Sequence, residues 1–198
     1  MAALPEIYLV RHGETVWTIS GQFTGRVDLP LTPQGEHMAR RLRAKLDGIE
    51  FTQVLASPLR RARVTCEKAG FGDRVELDQD LAEWDYGAYE GKSLDEIRRE
   101  RPEWSLFRDG CPKGESVEEV SRRADRVAAR LRETSGRSLV FGHGHFLRML
   151  GARWIDHPPA TGACLLFATA AVSILGYEHT LDRPAFVRWN DAQLPEAA

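Results

Sequence analysis

Cysteine is scarce in this chain: Cys66, Cys111 and Cys164 are the only three in 198 residues. They form no CxxC pair and have no matched histidine spacing, which excludes a disulfide framework and a zinc finger. A sparse, odd set fits a reducing compartment. Long apolar runs are also missing. The longest weakly polar stretch, Ala163 to Gly176, is broken by Thr169 and Ser173 and falls well short of the ~20 residues that span a bilayer. The N-terminus lacks a basic n-region, and its short apolar run ends in Arg11-His12, so it does not read as a signal peptide. These absences predict a cytoplasmic protein with no membrane partner. There is no basic excess either: 27 Lys and Arg face 29 Asp and Glu, for a net charge of −2. That argues against nucleic acid as a partner. Repeats and low-complexity tracts are absent, and no GxGxxG follows a predicted strand, which disfavours a dinucleotide-binding module.

What remains is ordinary globular composition, 42% hydrophobic and 28% charged. The length predicts one domain over 1–198, and such a chain buries enough surface to need no staple. Only the tail, Gln193 to Ala198, reads as frayed.

Ile7-Tyr8-Leu9-Val10 is a short apolar run that predicts a buried strand ending in Arg11-His12-Gly13. Thr32-Pro33 opens a helix, with Thr as N-cap and Pro at the first helical position. Met38, Leu42 and Leu46 fall on its apolar face. Val54-Leu55-Ala56 is a second strand, and Ser57-Pro58 repeats the cap-and-proline start, predicting a helix at once. Val75 to Leu77 is a third short strand. Ser93-x-x-Glu96 and Ser116-x-x-Glu119 are capping boxes. The second opens a helix with a stripe of Val117, Val120, Ala124, Val127 and Leu131. Ser138 to Phe141 is another buried strand, ending in Gly142-His143-Gly144-His145, with a helix from Phe146. Val172–Tyr177 and Ala185–Trp189 complete the strands. The alternation predicts an α/β fold, a three-layer αβα sandwich around a mostly parallel sheet.

Ligands in such sheets bind beyond the C-terminal strand ends. Two of those ends carry a His-Gly pair, His12-Gly13 and His143-Gly144, and a third leads to Arg60 and Arg61. Two imidazoles and two or three guanidiniums on one rim repel one another unless an anion fills the space between them. Guanidinium forks match phosphate oxygens, and a helix start after Gly144 offers free N–H groups. A neutral imidazole there can attack phosphorus and form a phosphohistidine. The leaving alkoxide needs a proton, and Glu83, among Leu81, Trp84 and Tyr86, is the best-placed acid in the sequence. Taken singly, each motif has an ordinary structural explanation. His143 and His145 at i and i+2 lack an evident third metal ligand. His37, His157 and His179 read as structural, and Cys111 as a loop thiol.

Taken in order, RHGET (11–15), SPLRRA (57–62), the EWDYGAYEG segment (83–91) and GHG (142–144) resemble the histidine phosphatase superfamily, the phosphoglycerate-mutase-like enzymes. The resemblance spans Ile7 to about Arg188. It implies His12 as the phosphorylated nucleophile, with Arg11, Arg61, His143, Thr18 and the Gly144 N–H around the phosphate. It further implies Glu83 as proton donor, Thr24, Gly25 and Tyr86 toward the substrate, and no metal or other cofactor. A homodimer is compatible with it.

Family mutases carry Asn where Thr18 stands and Lys where Leu94 stands. They also have a longer insertion between the acid and the second histidine. These departures, with DGCPKGES (109–116) and GHGHFLRML (142–150), are similar to the small phosphatase branch, which includes broad acid phosphatases and sugar bisphosphatases. The expected activity is hydrolysis of small phosphorylated metabolites. A phosphoglycerate mutase and an inactive phospho-ligand binder are the alternatives. Residues 86–116 are expected to form a flap, with Tyr86, Tyr89, Trp104, Arg108 and Lys113 reaching the substrate's organic part.

Overall fold

The computed structural model describes residues 4–193; the tail expected to fray lies almost wholly outside them. Six strands form one sheet: β1 (Glu6–Arg11), β2 (Gln53–Ala56), β3 (Glu76–Leu77), β4 (Arg137–Gly142), β5 (Val172–Tyr177) and β6 (Pro184–Asp191), in the order β3-β2-β4-β1-β5-β6. The first four run parallel. β5 lies antiparallel to β1, and β6 antiparallel to β5. The helices are α1 (Val16–Ser20), α2 (Pro33–Leu46), α3 (Arg60–Lys68), α4 (Leu94–Glu100), α5 (Leu106–Asp109), α6 (Val117–Glu133) and α7 (Gly144–Trp154).

The pleat divides the core into two layers. Val10, Val54, Ala56, Leu139 and Phe141 pack with Leu42, Leu46 and Cys66 of α2 and α3. Ile7, Leu9, Leu55 and Val140 face the other way, against Val120, Ala124, Val127 and Leu131 of α6 and Phe146, Leu147 and Leu150 of α7. Successive strand residues point to opposite faces, so helices cover both sides and the αβα sandwich is complete.

Both capping boxes form as the sequence predicts, at Ser93–Glu96 and Ser116–Glu119. Two helix starts differ from expectation. α3 begins at Arg60 with Leu59 as an N-cap that makes no side-chain bond. Ser57 stands three residues before Arg60, and its hydroxyl accepts from the Leu59 N–H at 3.3 Å and bonds the His143 ring at 2.7 Å. α7 begins at Gly144, two residues before the expected Phe146, with extended His143 as N-cap. Its first-turn N–H groups are capped by the carboxylate of distant Glu83, a partner that local sequence cannot show.

The order β2-β4-β1 sets three parallel C-terminal ends side by side. Arg11 is in register with Gly142, His12 N–H donates to the Gly142 carbonyl at 3.0 Å, and Ser57 N–H donates to the Phe141 carbonyl at 2.9 Å. The loop after β1 also rests directly on the start of α2. A methyl on Gly13 would fall 2.4 Å from the Gly35 carbonyl oxygen, and one on Gly35 would fall 2.1 Å from the Glu14 oxygen. Glycine at both positions lets the two backbones touch.

Candidate active site

A cavity of about 240 Å³ opens at these strand ends. Its walls include Arg11, His12, Trp17, Thr18, Phe23, Thr24, Glu83, Tyr86, Gly144, His145, Arg148 and Phe167.

His12 stands at the end of β1. Its Nδ1 lies 2.7 Å from the Gly13 carbonyl oxygen. A carbonyl only accepts, so Nδ1 carries the hydrogen and Nε2 keeps its lone pair. Burial first, and then the guanidiniums of Arg61 and Arg11, hold His12 well below the ordinary imidazole value. The His143 ring sits 5.2 Å away, centroid to centroid. It too is held well down, by burial, Arg61 and His12. Arg61 and His143 are 0% exposed and form the layer behind His12 rather than the cavity lining.

One loop and a glutamate set the position of Arg61. Its terminal nitrogens donate to the carbonyls of Val27, Thr24 and Gly25 at 3.0, 2.9 and 2.9 Å. That loop is held in turn by Glu90, whose carboxylate accepts from the N–H groups of Gly25, Arg26 and Val27. Arg11 donates to the Phe167 carbonyl and lies against the start of α7, where a methyl on Gly144 would come 3.1 Å from its Cζ. Arg11 Nε, Arg61 Nε and His143 Nδ1 are buried with no protein partner. Each such group costs about 1–3 kcal/mol when left unsatisfied. A cluster of unpaired donors around a neutral imidazole suits a phosphate.

Glu83 is buried. Its Oε1 accepts from the N–H groups of Trp84 (2.9 Å) and Phe146 (2.8 Å), and its Oε2 from His145 N–H at 3.1 Å. The first turn of α7, together with the Trp84 N–H, therefore holds the carboxylate. Oε1 has both lone pairs engaged, and Oε2 retains one to exchange a proton. Arg123 fixes the backbone behind it, donating to the Ala82 carbonyl at 2.6 Å while pairing with Glu115 at 2.9 Å.

Several expected contacts are placed elsewhere. Thr18 borders the cavity, but its hydroxyl donates to the Thr15 carbonyl at 2.8 Å and accepts from Thr15 N–H at 2.9 Å. Its one proton is thus committed to capping α1 and is not available to a phosphate. Gly25 is not on the cavity wall; it anchors Arg61 and Glu90. Of the five residues expected to reach the organic part, only Tyr86 lines the cavity. Trp104 packs edge-on to Phe23 at 5.7 Å and Tyr89 packs on Trp104 at 5.1 Å, both buried. Arg108 pairs with Asp109, and Lys113 is exposed. The sequence reading overlooked Trp17, Phe23, His145, Arg148 and Phe167 on the wall, and Glu90 and Arg123 behind it. The late apolar stretch and the spacing of His145 and Arg148 along one helix face were the available signals.

His143 and His145 do not share a ligand. His143 Nε2 is 2.7 Å from Ser57 Oγ, and His145 Nδ1 is 2.6 Å from the Tyr86 hydroxyl. Among the described residues, no three His, Cys, Asp or Glu side chains are grouped to hold a metal ion, and no helix is long and apolar enough to cross a membrane. Burial, aided by Asp85 and Glu90, pushes the Cys111 thiol up to about 12, so it stays protonated and a poor nucleophile.

The family model for the histidine phosphatase superfamily (branch 1) matches residues 7–192. The chain belongs to that superfamily. It is 39% identical to an acid phosphatase of Mycobacterium tuberculosis over 97% of this chain and 96% of that protein. It is 38% identical to the sedoheptulose 1,7-bisphosphatase of Saccharomyces cerevisiae over 76% of this chain and 67% of the yeast protein. A solved open-reading-frame product of M. tuberculosis superposes with a TM-score of 0.89 at 37% identity, covering 94% of this chain and 97% of that one. The chain is an enzyme of the phosphatase kind within this superfamily.

Burial, then the guanidiniums of Arg148 and Arg11, also hold His145 well below the ordinary imidazole value, and the three depressed histidines give a stability prediction. In the unfolded chain their value returns to about 6.5. Below that, the unfolded state binds more protons than the folded state, so stability falls as pH falls. Each extra proton contributes about 1.4 kcal/mol per pH unit. The ligand-free protein is therefore expected to lose Tm progressively from pH 7 to pH 5, above the range in which Asp80, Asp109 and Asp191 titrate. A Tm that stays level across that interval in thermal melts would contradict burial of His12, His143 and His145 as neutral rings.

Proposed function

We propose that this phosphatase hydrolyses small phosphorylated metabolites through a phosphohistidine on His12, without a metal ion. The observation that carries the reading is the His12 tautomer. Its Nδ1 hydrogen is fixed on the Gly13 carbonyl, and a free Nε2 is left beside Arg11, Arg61 and His143.

In the first step His12 Nε2 attacks phosphorus in line, and the phosphorus–oxygen bond to the alcohol breaks. Glu83 Oε2 gives its proton to the departing alkoxide. Arg11 Nε and the Gly144 N–H, on the cavity wall, stabilise the charge on the transferring oxygens, and Arg61 and His143 add positive charge and donors from the layer behind His12. In the second step water attacks phospho-His12, Glu83 takes its proton, and His12 leaves as the neutral ring. Each donor named is buried or held by a backbone contact, so little reorganisation is needed.

Apart from Tyr86, which lines the cavity, residues 86–116 support the wall from behind. Gln22 and Phe23 are strapped to Gly91 and Lys92 by main-chain and side-chain bonds, and Trp104 backs the Phe23 ring. Thr18 and Leu94 bring no additional cation, which favours water over a second phosphate as acceptor. Free thiols at all three cysteines suit a reducing cytoplasm.

The test is phosphate release from a panel of sugar mono- and bisphosphates, 3-phosphoglycerate and a 4-nitrophenyl ester, with and without EDTA. Release that EDTA leaves unchanged is the expected result. Release abolished by EDTA and restored by a divalent cation would overturn metal independence. Interconversion of phosphoglycerates with no free phosphate would make the enzyme a mutase.

A further inference from the structure

One buried ion pair lies outside the cavity and takes no direct part in the proposed chemistry. Arg123 of α6 and Glu115, just before that helix, meet at 2.9 Å. Arg123 is 6% exposed. All five of its N–H donors have acceptors within the chain. Two reach the Glu115 carboxylate oxygens, from Nε at 3.0 Å and from Nη2 at 2.9 Å. The others reach the carbonyls of Asp80, Ala82 and Glu83, at 2.7, 2.6 and 3.4 Å. The guanidinium face rests on the Phe146 ring, 4.4 Å from its centroid. Phe146 N–H is itself a donor to Glu83 Oε1.

Glu115 closes the arrangement from the other side. Its carboxylate accepts from Asp85 N–H at 2.8 Å, and its carbonyl accepts from the Trp84 indole N–H at 2.9 Å. Its own N–H donates to the Asp85 carbonyl at 2.9 Å. The pair therefore holds the backbone on both sides of Glu83. Anchoring that segment to α6 does not require it, because Arg126 ties Asp80 and Arg130 ties Asp78 to the same helix nearer the surface. Nor does burying an ion pair favour stability by itself, since desolvation offsets much of the attraction. What the pair adds is confined to residues 82–85 and to Phe146, the parts of the chain that aim the Glu83 carboxylate. Neither Arg123 nor Glu115 lines the cavity.

We propose that the Arg123–Glu115 pair positions the proton donor: it holds Glu83 Oε2 where the alcohol oxygen departs, and it acts on the reaction through that carboxylate alone. This rests on the phosphatase reading with Glu83 as the acid. Misplacing a reacting group by about 1 Å costs on the order of 100-fold in rate. A leaving group that needs no proton is indifferent to where the donor stands.

The experiment measures kcat/KM, which reports the steps up to phosphoryl transfer, for propyl phosphate and 4-nitrophenyl phosphate. Arg123→Met removes the charge and every donor. Arg123→Lys keeps the charge without the fork, and Glu115→Gln keeps the partner's shape without its charge. Propyl phosphate should lose on the order of 10–100-fold in Arg123→Met and less in the other two, while 4-nitrophenyl phosphate stays near wild type. In a Glu83→Gln background, Arg123→Met should cost propyl phosphate nothing more, because a residue that acts through another has no effect once that one is gone. Arg126→Gln, which cuts a surface tie of the same segment, should leave the ratio of the two esters unchanged. Equal losses for both esters, a wild-type ratio in all three variants, or a full further loss in the Glu83→Gln background would overturn the inference and leave the phosphatase reading standing. Failure of all three variants to fold, read by circular dichroism, would make the pair structural and overturn it too. If Glu83→Gln itself loses both esters equally, Glu83 is not the donor and the inference falls with it. No phosphate from either ester in wild type would overturn the phosphatase reading as well.

Discussion

His12→Ala is expected to lower kcat by roughly 10³–10⁶-fold, the range seen when a covalent nucleophile is removed while the rest of a site remains. The reason is local. Nδ1 of His12 is tied to the Gly13 carbonyl, so one imidazole nitrogen alone is presented to phosphorus, and no other nucleophile lines the cavity at that position. Burial and two guanidiniums keep that nitrogen unprotonated well below the ordinary imidazole range. The acid limb of kcat/KM should accordingly lie below about pH 6.5. The direct measurement is a quench of wild type during turnover of a radiolabelled ester. Label should remain on the protein, stable in base and lost in acid as a phosphoramidate is, and be absent from His12→Ala. Retained turnover in His12→Ala, or label on another residue, would end the phosphohistidine mechanism.

Glu83→Gln should separate two classes of ester. An alkyl phosphate leaves as a strongly basic alkoxide and needs a proton in the transition state; its hydrolysis should fall by about 10²–10⁴-fold. A 4-nitrophenyl ester leaves as a stable phenolate, and its loss should be much smaller. Glutamine also has one acceptor oxygen where glutamate has two. One of the three N–H groups from Trp84, His145 and Phe146 would then face an amide NH₂. The mismatch should destabilise the fold by about 1–3 kcal/mol, visible as a lower Tm. An equal loss for both esters would remove Glu83 as proton donor and leave it as the cap of α7.

The two positions differ in how far sequence alone reaches them. RHG after an apolar run places His12 at a strand end, because short buried strands and their terminating glycine are local features. The capping boxes at Ser93 and Ser116 and the stripe on α6 are legible for the same reason. Their energetics depend on neighbours three or four residues away. Glu83 could be picked out as a carboxylate near aromatics, but its real environment is three N–H groups, two of them from a helix sixty residues further on. Ser57 shows the same limit. It looks like an N-cap, and in the fold its hydroxyl also bonds the distant His143 ring.

By itself, then, the sequence determined the strands, the longer helices, the motif order and the superfamily, all of which follow from residue type and short-range spacing. Tertiary structure decided which donors are left unpaired and which are taken. Thr18 lost its proton to the Thr15 carbonyl, Gly25 became the anchor of Arg61, and Arg123 met the carbonyls behind Glu83. These outcomes depend on closure of loops over long separations and on burial, where an unpaired charge or donor is costly. No local pattern records which distant carbonyl or carboxylate will meet it.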